Sequence, residues 1–165
     1  MKRGSGEGGV MLLELLIVVL LAGMAFQLVL PAVWRAYQHG AVRFEAEHLL
    51  GEIRCQQMLA RTEAGSIAED GSAGPAAARP CMKIDGEGYV IYRGGQSLEK
   101  HRCLPTVHMQ FMGNWDGKDQ FLYFGENGNI YPNITILILG AAGEDINCHV
   151  VIDTAGRARL ERSGT

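Results

Sequence analysis

Gly8-Gly9-Val10-Met11-Leu12-Leu13-Glu14, continued by an apolar stretch as far as Trp34, decides how this chain is organised. Val10 to Trp34 is interrupted only by the carboxylate of Glu14 and the amide of Gln27. At about 1.5 Å per helical residue, such a stretch crosses a hydrocarbon layer of roughly 30 Å. Lys2 and Arg3 precede it and no equally basic cluster follows closely, so the start is expected in the cytoplasm and everything after Trp34 outside. A secretory signal carries its small residues after the apolar stretch. Here Gly8 and Gly9 come before it and close a polar leader, Met1 to Gly9, with no cysteine nearby for lipid attachment.

Glu14 needs a partner, because a carboxylate inside a bilayer costs a few kcal/mol, about 2.5–3.5 on insertion scales, and persists only when paired. Cleavage after Gly9 would create an α-ammonium on Val10, and Glu14 of a neighbouring helix at similar depth would match it. That pairing forms only on assembly. The segment Gly9-Val10-Met11-Leu12-Leu13-Glu14 resembles the type III signal of type IV prepilins and pseudopilins. In that family a glycine precedes the cut, glutamate is fifth in the mature chain and proline is often twenty-second. Counted from Val10, Glu14 is fifth and Pro31 twenty-second, while the first residue, usually phenylalanine, is valine here. The resemblance implies cleavage between Gly9 and Val10 by a membrane aspartic prepilin peptidase, N-methylation of Val10, a role for Glu14 in assembly, and other pilins or pseudopilins as partners. It also implies an inner-membrane protein with a single span over 10–34 and an extracytoplasmic domain over 35–165. Pro31 removes a main-chain hydrogen bond and should bend or loosen the helix, with Gly23 and Gly40 as further soft points.

Beyond the span, the helix is expected to continue to about Thr62, with two apolar stripes when residues are placed at 100° per step. Val42, Ala46, Leu49, Ile53 and Ala60 form one; Phe44, Gly51, Cys55 and Met58 lie opposite. The stripes between them are polar, one with Arg43, Glu47, Arg54 and Arg61, the other with Glu45, Glu52 and Glu63. A surface helix normally has one apolar face. Two faces imply one packed on the protein's own sheet and another on neighbouring subunits or beneath a loop. Ala64 to Pro80 lacks periodicity and reads as an exposed loop. Strands are expected at Cys81–Ile84 and Tyr89–Tyr92 around the turn Asp85-Gly86-Glu87-Gly88, and at 106–111, 120–124, 134–139, 148–152 and 157–161. One long helix followed by an antiparallel sheet is an α+β layer packing, the pilin fold that the resemblance implies.

The 165 residues suit one compact domain with an appendage. Net charge is -3, and removing Lys2, Arg3, Glu7 and Glu14 leaves 13 basic against 16 acidic residues, so overall charge gives no argument for nucleic acid. Cys55, Cys81, Cys103 and Cys148 would lie where disulfides persist, with three pairings open, and the absence of a CxxC pair speaks against a zinc site. His39, His48, His101, His108 and His149 show no HExxH spacing, Gly86 and Gly88 start a GxG without its third glycine, and a P-loop lysine is missing, so neither enzyme chemistry nor a cofactor is expected. Asn133-Ile134-Thr135 fits a sequon by chance in an exported chain of bacterial type.

Phe124-Gly125-Glu126-Asn127-Gly128-Asn129 and Asp153-Thr154-Ala155-Gly156-Arg157-Ala158-Arg159, together with the helical stretch Leu50 to Arg61, resemble minor pilins of GspH/FimT type, with the competence pilin ComGD as a near alternative. The calcium loop of a major type II secretion pseudopilin is not recognisable, which favours a minor subunit. Gly156-Arg157-Ala158-Arg159 matches the GRxR pattern that the resemblance links to DNA binding. On a strand Arg157 and Arg159 share a face, Arg162 would extend the patch, and guanidinium suits phosphate; equally, the arginines would guard a strand edge. The readings are therefore a minor pilin of a pilus or DNA-uptake machine, a minor pseudopilin of type II secretion, or a bitopic membrane-anchored binding protein.

Overall fold

The computed structural model describes residues 7–70, 80–112, 120–141, 143–153 and 155–162. Most of the expected leader, the stretch 71–79 of the expected loop and the side chain of Arg162 lie outside the described residues. Two compact units divide the chain, Met1–Tyr37 and Gln38–Thr165. A single helix, α1 (Glu7–Asp70), contributes to both and contains Pro31. It starts before the expected cut and runs past Thr62 into the expected loop, so the polar, alanine-containing stretch Glu63–Asp70 is helix. Its residues are ordinary helix formers, with Gly65 the exception.

Nine strands follow among the described residues: β1 (Cys81–Asp85), β2 (Gly88–Arg93), β3 (Gln96–Arg102), β4 (Val107–Met112), β5 (Gln120–Phe124), β6 (Ile130–Tyr131), β7 (Thr135–Gly140), β8 (Gly143–Ile152) and β9 (Ala158–Arg162). They form two antiparallel sheets rather than one, in the orders β3-β2-β1-β5-β6 and β4-β7-β8-β9. The β1–β2 hairpin is tight, Asp85 pairing with Gly88 and the Asp85 carboxylate accepting the Glu87 N–H at 2.9 Å. Gly88 is required there, because a Cβ would run into the carbonyl oxygen of His101 on β3. The sequence reading missed β3, whose Gln96-Ser97-Leu98-Glu99-Lys100-His101-Arg102 is exposed except at His101, an edge strand without alternation to betray it.

Alternation sends Met82, Ile84, Tyr89, Ile91, Leu122 and Phe124 of the first sheet inward, and Met109, Ile136, Ile138, Val150 and Ile152 of the second. These join Ala41, Val42, Ala46, Leu49, Leu50, Ile53 and Ala60 of α1 in one core. The two-stripe reading of the helix therefore divides cleanly: the Val42–Ile53 stripe is buried, while Phe44 (57 % exposed) and Met58 (66 %) face outward with Gly51 and Cys55.

Glu45 corrects that reading. Assigned to a polar stripe, it is only 1 % exposed, because it stands three residues after Val42 and four before Leu49 on the buried face. Its carboxylate is satisfied there, Oε1 accepting the Leu104 N–H at 2.9 Å and Oε2 lying 2.8 Å from His101 Nε2.

Truncation separates the two faces. Leu49→Ala should cost about 2–5 kcal/mol as a core cavity, and Met58→Ala less than about 0.5 kcal/mol, both read from denaturant unfolding of the detergent-solubilised protein. Equal losses would mean that the outward stripe is covered within the subunit.

Candidate functional site

The described helix of the first unit presents an apolar surface. Every side chain from Val10 to Trp34 is exposed, including Leu28 at 79 %, and no part of this stretch is buried within the structure. A water-soluble monomer rarely shows a continuous apolar patch beyond a few hundred Å². Gly9, Val10 and Glu14 stand exposed on the same helix, so the expected cleavage residues and the lone carboxylate are open to other molecules in this arrangement.

At the other end of the chain, the residues resembling minor pilins form two turns held to the helix. In the first, Gly125 N–H donates to Asn129 O and Gly128 N–H to Gly125 O, both at 2.8 Å. In the second, Gly156 N–H donates to Asp153 O at 2.9 Å, and the Asp153 carboxylate accepts the N–H groups of Ala155 and Arg157 at 2.9 Å and Arg157 Nε at 3.0 Å. These bonds, the Arg157 main-chain N–H first among them, hold the Asp153 carboxyl below its ordinary range. Gln57 Nε2 from α1 donates to Gly128 O at 2.7 Å and to Gly156 O at 2.6 Å, tying the turns together through one amide. Arg61 Nε donates to Asn127 O at 3.2 Å and Arg54 to Ala158 O at 3.4 Å. Gly128 and Gly156 have φ of 74° and 72°, and a Cβ on Gly156 would sit 2.6 Å from Ile130 N. Much of that sequence pattern is thus a docking geometry.

Arg157 and Arg159 do share an exposed face, flanking the buried Ala158. Each is engaged: Arg157 with Asp153 at 3.0 Å and Arg159 Nη2 with Glu161 Oε1 at 2.7 Å. Both pairs are exposed, where ion pairs contribute about 0–1 kcal/mol and exchange readily.

Sequence reasoning missed a cluster beside the hairpin. Around the buried Glu45, the His101 ring stacks on His48 (centroids 4.5 Å apart) and on Tyr89 (5.0 Å), and the Tyr89 hydroxyl lies 2.9 Å from His48 Nδ1. Cys103 is buried next to Glu45. Burial first, and then the Glu45 charge, push its thiol up to about 12. None of the four cysteines is disulfide-bonded in this structure, so the expected bridge is not formed here: Cys55 is exposed on α1, Cys81 half-buried, and Cys103 and Cys148 buried. The spacing His101-x-Cys103 was the available signal, but nothing in it pointed to Glu45.

No family model and no curated protein matches the sequence. Two crystal structures of the type IV minor pilin FimU of Pseudomonas aeruginosa do match the coordinates. One aligns at TM-score 0.54 with 19 % identity over 74 % of this chain and 90 % of FimU; the other aligns at 0.51 with 20 % identity over 73 % and 92 %. The chain has the type IV pilin fold. The α+β class read from the sequence stands, with two sheets in place of one.

Gly156→Ala should lower stability by about 1–3 kcal/mol, since it adds left-handed strain and overlap with the other turn; the midpoint of thermal unfolding checks it. Thiol alkylation at neutral pH should modify Cys55 within the folded protein and leave Cys103 unmodified until unfolding, as read by peptide mapping.

Proposed function

We propose that the chain is a minor pilin, a structural subunit of a type IV pilus-like filament and not an enzyme. The observation that carries this is an apolar helix exposed on all sides, bearing Gly9, Glu14 and Pro31 at prepilin spacing and belonging to a pilin fold. Prepilin peptidase cuts between Gly9 and Val10, and Val10 is methylated. The inner membrane holds the helix until assembly, when Glu14 meets the ammonium of another subunit and the outward stripe Phe44, Gly51, Cys55 and Met58 packs on its neighbours. A lone Glu14 is a burden in lipid and gains a partner only in the filament, which gives the residue its role in recruitment.

Intact-mass analysis of protein from cells containing the peptidase should show a chain starting at Val10, and one still carrying Met1–Gly9 in peptidase-deficient cells. A chain left uncut in both would refute processing. Glu14→Ala should insert into the membrane normally and be lost from filaments at least several-fold; normal incorporation would refute the pairing.

A second reading, DNA uptake, draws on Arg157, just before β9, and Arg159 within it, both exposed. Their carboxylate partners are exchangeable, so phosphate oxygens can replace them. The Arg157→Ala/Arg159→Ala protein should bind DNA more weakly and lower the salt slope of binding by about 2. Equal binding and an equal slope would leave a type II secretion pseudopilin as the better account, and the arginines as guards of the strand edge.

A further inference from the structure

We propose that Glu45, His101 and Cys103 form a binding site for a divalent cation of the zinc class, in a domain whose sequence spacing argues against one. One oxygen of Glu45, a ring nitrogen of His101 and Sγ of Cys103 all lie within 4.8 Å of one another. Zinc bonds of about 2.0–2.3 Å set tetrahedral donor atoms roughly 3.3–3.8 Å apart, a rearrangement of side chains only. Carboxylate, imidazole and thiolate together suit a borderline-soft ion and exclude calcium and magnesium, which take oxygen.

The donors come from three places that the fold has already fixed. Glu45 sits on the buried face of α1, with Oε1 occupied by the Leu104 N–H and Oε2 left facing His101 Nε2. His101 is the last residue but one of β3, its ring packed against those of His48 and Tyr89. The Cys103 N–H donates to Glu87 O at 2.8 Å, which anchors the third donor to the hairpin turn. Hydrogen bonds that orient a ligand carboxylate, and rings that restrain a ligand imidazole, are the supports that metal sites require. Binding replaces the thiol proton of Cys103, released to solvent, and leaves two anionic ligands and a neutral imidazole to balance a 2+ ion. Cys103 also lines a surface pocket with Glu87, Arg102, Pro105 and His108, and an ion held by three protein ligands would take a water as its fourth. A bound ion would clip α1 to β3 and the segment leading into β4. The site is independent of the filament reading.

The full chain, purified in detergent and stripped with chelator, should take up zinc in equimolar amount against a chromogenic competitor, with a rise in unfolding temperature. Cobalt should give the near-ultraviolet thiolate charge-transfer band. Cys103→Ser should abolish that band, and Glu45→Gln should weaken zinc binding at least about tenfold, whereas Cys55→Ser should change neither. If the variants fold poorly, zinc should slow alkylation of Cys103 in the unaltered protein under mild denaturant. The proposal is overturned if zinc is not retained, if the charge-transfer band survives in Cys103→Ser, or if zinc leaves Cys103 alkylation unchanged.

Discussion

Apolar surface that water cannot accept governs this protein at every level. The second part of α1 carries it in stripes, and one stripe is satisfied within the domain by the inward faces of two sheets. The first part carries it all round and exposed. Hydrophobic burial is non-directional and roughly proportional to area, so a helix of this kind must find lipid or other helices. The pilin fold is one solution: a domain that completes a core on one side of a helix and leaves the rest of that helix to others.

Polar groups then decide where the domain grips. Gln57 gives one amide to two turns far apart in sequence, and Arg54 and Arg61 add donors along the same helix face. Glycine at 128 and 156 allows the approach, since a side chain at either would collide with Arg61 or with the neighbouring turn. Glu45 does similar work in the core, where a carboxylate is tolerated only because a main-chain N–H and an imidazole meet it. Each contact fixes the helix at a distinct height against the strands, so the outward stripe of Phe44 and Met58 is presented in a defined orientation within this unit.

Most of the architecture was legible because it rests on patterns that sequence displays directly. The apolar length announces the exposed first part of the helix, the helical period announces the buried stripe of Val42, Leu49 and Ile53, and alternation announces the central strands. Three things were not legible, each for a physical reason. β3 is an edge strand, exposed at every position but His101 and polar except at Leu98, so period-two reading finds nothing in Gln96–Arg102. Glu45 is classified by its charge, although its position among Val42, Ala46 and Leu49 places it inside. The helix beyond Thr62 loses its apolar period and looks like a loop, while its residue types still favour helix. Among the candidate residues, the exposure of Arg157 and Arg159 on either side of the buried Ala158 agrees with alternation, although Arg157 precedes β9, and their pairing with Asp153 and Glu161 depended on a turn and a neighbouring side chain that spacing does not specify.

That α1 is a surface for other pilins is the claim on which the rest turns, and crosslinking within assembled filaments tests it most directly. A photoreactive residue at Phe44, on the outward stripe, should capture another pilin subunit in sheared filaments, while the same group at Leu98, exposed on edge strand β3, should capture far less. Absence of the protein from the filament fraction, or equal capture at both positions, would contradict the account.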